Sequence, residues 1–176
     1  MCARLMERFD VKRGLMKQII ADGGLAVLAK KYFENVKADG ETSFSGSHDI
    51  MVSISAHFSE TGALAIDVKN VPPDFDNPEA MKIAQDSRRK WTQFLDEATG
   101  YNSKQRGDKA KEWAKKASKA KSAVNGAKNF MKLSKNVSEE VQSQAHALID
   151  EIEAALEQGE NTRAAGRGEK LGKLFQ

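Results

Sequence analysis

Apolar side chains occupy every second position from Ile50 to Phe58, a spacing that places them on one face of a β-strand. The segment from Leu64 to Val68 repeats this alternation. The register that keeps both apolar sets on one face pairs Phe58 with Leu64, Ala56 with Ile66 and Ile54 with Val68. The strands are then joined by a three-residue loop ending at Gly62, where such a loop favours a left-handed backbone. The pattern predicts a β-hairpin.

Shorter patterns nearer the amino terminus predict two further strands and a helical region. We place the strands near Arg8–Lys12 and near Thr42–Ser45. Between them, apolar residues from Leu15 to Tyr32 have helical spacing that is interrupted at the Gly23–Gly24 pair. This predicts two short helices or one broken helix. The small residues at 45–47, Ser-Gly-Ser, are interpreted as a turn.

A longer helix is predicted after the hairpin. Asn77, Pro78 and Glu79 have the chemistry of an N-cap, a first helical position and an acid that matches the helix dipole. Gly100 suits the C-cap. The element order β-α-β-β-β-α is typical of an α+β fold, here a small antiparallel sheet with helices on one face. We assign this domain to residues 1–102.

Beyond this domain, apolar residues recur every three or four positions, which predicts helices. One stripe runs from Trp113 to Met131, with lysines at most other positions. A break or kink is predicted at Asn125–Gly126, because Gly weakens a helix interior by about 1 kcal/mol relative to Ala. A second stripe, from Val137 to Ala155, marks an acidic helix. We predict a helical hairpin arm over residues 103–159 and a flexible tail over 160–176.

Charge is strongly segregated along the chain, although the net charge is only +3. Residues 1–102 hold 13 Lys/Arg and 15 Asp/Glu, residues 103–136 hold 11 and 2, and residues 137–176 hold 4 and 8. The middle segment therefore carries a net charge of +9. Such a local cluster is more informative about partners than the net charge of the whole chain.

This lysine-rich segment is the strongest indication of function in the sequence. Flexible lysine ammonium groups suit contacts to a phosphate backbone that do not select a base sequence. We therefore expect a non-enzymatic protein that associates with RNA, DNA or the ribosome. The residues assigned to this contact are Arg88, Arg89, Lys90, Lys104, Arg106, Lys109, Lys111, Lys115, Lys116, Lys119 and Lys121. About five phosphate contacts would make log affinity fall with log salt at a slope of roughly −4 to −5.

The same segment has an alternative interpretation as a protein-binding arm. Residues 137–162 include seven acidic and no basic side chains. The acidic helix can therefore fold back on the lysine-rich helix, with the two apolar stripes as the seam. The hairpin would then contact a partner protein or a second copy of the chain. Only lysines that face outward from the hairpin would remain for a nucleic acid.

No pattern in the sequence predicts a catalytic residue, a metal site or a cofactor. His48, His57 and His146 do not share the i, i+4 spacing of helical metal ligands, and the serines lack a Gly-x-Ser-x-Gly elbow. The Asp22–Gly24 step lacks the Lys-Ser/Thr of a P-loop and is interpreted as a helix break. The acidic residues at 74–79 are interpreted as capping residues.

The sequence also shows no pattern of a membrane span or of a secretory signal. No apolar run approaches the roughly 20 residues that span a membrane, and Met1–Asp10 lacks the apolar core of a secretory signal. Cys2 is the only cysteine, which excludes an intramolecular disulfide. We expect a protein of the reducing cytoplasm with no membrane partner.

Three segments, Phe9–Gly14, Trp91–Tyr101 and Ser103–Arg106, resemble an uncharacterised protein family of methanogenic and related archaea. The resemblance extends over roughly residues 7–120. It implies an archaeal cytoplasmic origin, and it supplies no activity and no catalytic residue. The acidic helix and the glycine-containing tail lie outside it.

Overall fold

The computed structural model describes residues 6–134 and 136–176, which form two compact units that divide between Lys109 and Ala110. The first unit contains β1 (Glu7–Phe9), α1 (Leu15–Ala21), α2 (Leu25–Ala29), β2 (Asn35–Ala38), β3 (Ser43–His48), β4 (Met51–Phe58), β5 (Leu64–Asn70) and α3 (Pro78–Thr99). A long helix, α4 (Ser103–Leu133), begins in the first unit, and the second unit also contains α5 (Glu139–Glu157) and α6 (Asn161–Lys173). The division lies inside α4 and not at the predicted boundary after residue 102. Cys2 lies outside the described residues.

The sheet has five antiparallel strands in the order β1-β5-β4-β3-β2. The predicted hairpin is confirmed together with its register, because Phe58 pairs with Leu64, Ala56 with Ile66 and Ile54 with Val68. Gly62 has a φ of 82° and donates its N–H to the Ser59 carbonyl. The left-handed glycine therefore closes the loop as the sequence predicted.

One strand, β2, was not predicted, and a predicted turn is in fact part of β3. β2 is short and mostly exposed, so no apolar alternation marks it in the sequence. The Ser-Gly-Ser sequence at 45–47 lies inside β3 and pairs with β2. A glycine fits there because Gly46 lies against the backbone of Asn35. The chain turns instead at Asp49, whose φ of 45° lies in the left-handed region.

A register shift between Met51 and Ser53 changes which face β4 buries at its start. The alternation predicted Val52 on the buried face, but Val52 is 46% exposed and Met51 is 3% exposed. A β-bulge adds one residue to a strand and so moves the side chains before it to the opposite face. From Ile54 onward, the predicted face is the buried one.

Helices α1, α2 and α3 form one core with the sheet. Its largest fully buried members include Leu25, Phe44, Ile54, Leu64, Ile66 and Phe94. α1 and α2 separate at Gly23 and Gly24, which both have positive φ. The N-cap of α3 is confirmed, because Asn77 Oδ1 accepts the N–H groups of Glu79 and Ala80. The predicted α+β class is therefore confirmed, with one strand more than expected.

The second unit is a three-helix arrangement, whereas the sequence predicted a two-helix hairpin with a mobile tail. Residues 161–173 form α6, and Ala164, Gly168 and Leu171 are buried in it. These residues share one core with α4 and α5. One of the glycines that suggested mobility, Gly168, has a packing role instead, because a Cβ there would lie 3.2 Å from the Ala123 Cβ.

Helix α4 continues through Asn125 and Gly126, where a break or kink was predicted. Val124 and Ala127 on either side are buried in the core of the second unit. Their packing offsets the weak helix propensity of glycine, because tertiary contacts commonly override propensity. Across the described residues, no helix combines the length and apolar character that a membrane span requires.

Candidate nucleic-acid interface

The three predicted basic residues of α3 differ in what they contact. Arg89 forms an ion pair with Asp86. Lys90 turns toward the sheet, with its Nζ 3.4 Å from Asp86 Oδ2 and 3.1 Å from His48 Nε2. Arg88 is exposed and has no ion-pair partner among the described residues. Of these three described residues of α3, Arg88 therefore presents an unpaired charge to solvent.

Arg106 is a structural residue of the first unit. Its side chain is only 7% exposed, and its guanidinium group donates to the Asp96 carboxylate and to the Tyr101 carbonyl. Nη2 also donates to Ser103 Oγ at 3.0 Å. These contacts join the end of α3 to the start of α4. The burial removes Arg106 from the predicted surface, and a count of charges could not distinguish it from its neighbours.

Lys104 and Lys109 are the two other predicted contact residues between α3 and the boundary of the first unit, and their surroundings differ. Lys104 is exposed. Lys109 Nζ lies 3.7 Å from Asp10 Oδ2 and 5.8 Å from the centroid of the Tyr101 ring. Lys109 is therefore engaged with groups of its own unit.

Several lysines of α4 form ion pairs inside the second unit. The pairs are Lys116–Glu112 at 2.9 Å, Lys119–Glu169 at 2.6 Å and Lys128–Glu153 at 2.8 Å. Lys116 Nζ also donates to Thr162 Oγ1 at 3.2 Å. The hydrogen bond from Lys119 lowers the pKa of Glu169. The charge matching predicted for the acidic helix therefore exists, but it is shared between α5 and α6.

The side of α4 that faces away from the core of the second unit is polar and exposed, and we call it the outer face. Its members are Lys111, Lys115, Ser118, Ser122, Asn125 and Asn129. Their spacing of four and three residues in alternation keeps them on one side of a helix. Lys121 is exposed beside this face, while Ala120, Val124 and Ala127 are buried on the opposite side. The structure thus brings two predicted lysines together with four uncharged hydrogen-bonding side chains.

The first unit also contains a cavity of about 480 Å³ bounded by β4, β5 and α3. Its wall combines apolar groups, such as Ile66 and Trp91, with the polar groups of Asp67, Asn70 and Arg88. The cavity has the size of a ligand pocket.

The three histidines lie in different surroundings. His57 is half-buried on β4, and His146 is exposed on α5. His48 is 1% exposed, and it lies beside the carboxylates of Glu34 and Asp49. Sequence reasoning missed this cluster because Glu34 is distant along the chain and β2 was not predicted. The only local signal was the adjacent pair formed by His48 and Asp49.

A family model described as a domain of unknown function, DUF5611, matches residues 6–112. The chain belongs to the DUF5611 family. This span agrees with the resemblance seen over roughly residues 7–120. The DUF5611 match covers nearly all of the first unit and the start of α4, so α5 and α6 lie beyond it. No curated protein and no solved structure matches the chain.

Proposed function

We propose that the protein binds the phosphate backbone of RNA or DNA through the outer face of α4, without selecting a base sequence. The composition of this face is the observation that carries the proposal. Its six residues are cationic or carry uncharged hydrogen-bonding groups, and none is acidic. Side chains of these types make many of the contacts to phosphate and sugar in protein–nucleic acid complexes. We place this role in the cytoplasm.

The distribution of acidic residues supports the same surface. Residues 110–176 hold 12 Lys/Arg and nine Asp/Glu. Six of these acids belong to α5, a different helix from the outer face. Lys115 and Lys121 have no ion-pair partner among the described residues. Their charges therefore remain available to attract a polyanion.

The pairing of the other lysines reduces the expected salt dependence. Each phosphate that is neutralised on a duplex contributes about −0.9 to the slope of log affinity against log salt. Contacts from Lys115 and Lys121 alone predict a slope of roughly −1.8 on duplex DNA. This is shallower than the slope predicted from the sequence, because Arg106, Lys116 and Lys119 are engaged internally.

Two triple variants with the same loss of charge test the proposal. The outer variant carries Lys111→Gln, Lys115→Gln and Lys121→Gln, and the inner variant carries Lys116→Gln, Lys119→Gln and Lys128→Gln. Fluorescence anisotropy with a mixed-sequence RNA and a duplex DNA would be measured over a series of salt concentrations. We expect the outer variant to lose at least about tenfold in affinity at low salt and most of the salt slope.

The inner variant should retain most of the binding and lose thermal stability, because it breaks ion pairs within the unit. Equal losses of affinity in the two variants would contradict the outer face as the contact. Undetectable binding of the unmodified chain at low salt would reject nucleic-acid binding altogether.

A second candidate function, binding to a protein or to another copy of the chain, is favoured by one observation. Leu133 is 82% exposed and Phe130 is 44% exposed near the end of α4. Exposed large apolar side chains that lie close together are typical of interaction surfaces. Light scattering of the purified chain and of Leu133→Ser tests self-association. A dimer that the substitution dissociates would support this second candidate.

A further inference from the structure

His48 is a buried histidine at the end of β3 with a carboxylate near each of its ring nitrogens. Pairing of Asn35 with Ser47 brings Glu34, the residue before β2, beside His48. Asp49 follows His48 directly in the turn, with a φ of 45°. An L-residue adopts this conformation only at a cost in free energy. The backbone of the turn therefore holds the Asp49 carboxylate near the imidazole.

The two nitrogens of the His48 ring have different surroundings. Nε2 forms a hydrogen bond with Lys90 Nζ at 3.1 Å and lies 3.2 Å from Asp49 Oδ2. Nδ1 is buried and has no hydrogen-bond partner among the described residues. The nearest charged atom to Nδ1 is Glu34 Oε2, at 4.0 Å. A buried polar atom without a partner is rare, and a bound water or a bound ion is among the explanations for one.

We propose that His48 Nδ1 and the Glu34 carboxylate bind a divalent transition-metal ion of the zinc class, with Asp49 on the opposite, Nε2 side of the ring. One donor atom from each side chain lies within 4.8 Å of the other two. Imidazole with carboxylates suits zinc and its first-row neighbours, whereas calcium and magnesium take oxygen ligands. This site is independent of the outer face of α4.

The Glu34 oxygen needs only a small movement to share an ion with His48 Nδ1. Ligand atoms at about 2.0 to 2.2 Å from a tetrahedral zinc ion lie roughly 3.3 Å apart. The Glu34 oxygen must therefore approach Nδ1 by roughly 0.7 Å. The Glu34 side chain is 71% exposed, so rotation of its side chain can supply this movement.

The surroundings of the ring resemble those of a metal-binding histidine. Such a histidine commonly donates its second ring N–H to a carboxylate, which fixes the ring and its tautomer. Here Nε2 faces Asp49 Oδ2, and Ser87 Oγ donates to the same oxygen at 3.2 Å. Lys90 Nζ lies 3.4 Å from Asp86 Oδ2, so a second acid balances its charge. The Asp49 carboxylate therefore lies on the Nε2 side of the ring, which leaves the Nδ1 side to the ion and Glu34.

Equilibrium dialysis of the full chain against zinc, followed by elemental analysis, tests the proposal. All variants carry Cys2→Ser, so that the thiol does not contribute to binding. We expect about one zinc ion per chain and a loss of affinity of at least about tenfold in Glu34→Gln and in His48→Gln. Cobalt titration, monitored by its visible absorption, gives a second readout of a bound imidazole.

The matched controls are His57→Gln and His146→Gln, which remove the other two imidazoles and should leave binding unchanged. Glu34→Gln alters an exposed side chain, so it keeps the test valid if His48→Gln fails to fold. The proposal is overturned if the unmodified chain binds no zinc at micromolar concentration. It is also overturned if Glu34→Gln binds as tightly as the parent, or if a control loses the ion.

Discussion

Gly46 of β3 and Asn35 of β2 are so close that a Cβ on Gly46 would lie 2.1 Å from the Asn35 carbonyl oxygen. Real Cβ atoms do not approach an oxygen this closely, so any other residue at 46 must displace the strand. The contact has a further effect because Asn35 directly follows Glu34. The close approach of the two strands keeps the Glu34 carboxylate beside His48.

Gly46→Ala should destabilise the first unit by about 1 to 3 kcal/mol, because the added methyl group must push β2 away. The control is Gly126→Ala, where an added Cβ has no neighbour within 4 Å. That substitution should stabilise α4 by about 1 kcal/mol or less. Urea unfolding followed by circular dichroism measures both. A Gly46→Ala chain as stable as its parent would contradict the described pairing of β2.

Leu171→Ala should destabilise the second unit by about 2 to 5 kcal/mol, because it leaves a cavity where α6 packs on its neighbours. Lys170→Ala, at the exposed position before it, should change stability by less than about 0.5 kcal/mol. Thermal unfolding and amide exchange in α5 would measure the difference. If residues 161–173 were a mobile tail, the two substitutions would have equal and negligible effects.

Tyr32 should release its phenolic proton at unusually high pH. Burial, followed by the hydrogen bond and charge of Glu97, raises the pKa of Tyr32 from 10.0 to about 12. The folded pKa exceeds the unfolded one, so this group stabilises the fold fully below pH 10.0 and loses that contribution as pH rises through about 12. Ultraviolet titration of a Tyr101→Phe chain isolates the signal of Tyr32.

Glu97→Gln should lower the Tyr32 pKa from about 12 part of the way toward 10.0, because the negative charge is removed while the burial remains. A Tyr32 pKa that does not change on this substitution would show that the carboxylate does not contribute.

Arg106→Gln should destabilise the first unit by about 1.5 to 3 kcal/mol, because charged hydrogen bonds to Asp96 and Tyr101 are lost. It should change nucleic-acid affinity no more than Lys104→Gln, which removes the same charge from an exposed position. Chemical denaturation and anisotropy on the two variants separate these effects. A larger loss of nucleic-acid affinity in Arg106→Gln than in Lys104→Gln, with stability unchanged, would show that Arg106 contacts the nucleic acid.

The fold was predictable where local pattern and tertiary environment agree. The hairpin of β4 and β5 has apolar alternation in both strands and a glycine in its loop. β2 has no such alternation, since it lies at the sheet edge with mostly exposed side chains. The bulge near Val52 leaves no trace in the sequence, because the apolar alternation continues through it. The glycines of α6 are typical of both mobility and close packing, and only the partner helix distinguishes these roles.

The candidate sites were less predictable, because both depend on contacts between distant residues. A charge count gives Lys115 and Lys119 the same weight, yet the Lys119 ammonium group is paired with Glu169 on another helix. Similarly, no local spacing links Glu34 to His48 until β2 and β3 pair. What the sequence predicts is the composition of a surface, and the packing determines which of its charges face outward.

The core of the second unit is built largely from alanine, including Ala120, Ala127, Ala145 and Ala155. Alanine buries little surface, so the larger buried side chains, Ile149 and Ile152 on α5 and Leu171 on α6, supply a substantial part of the cohesion. During synthesis, α6 emerges after both helices that it covers. The core that the buried side of α4 shares with α5 and α6 is therefore complete only after residues 161–173 have been translated.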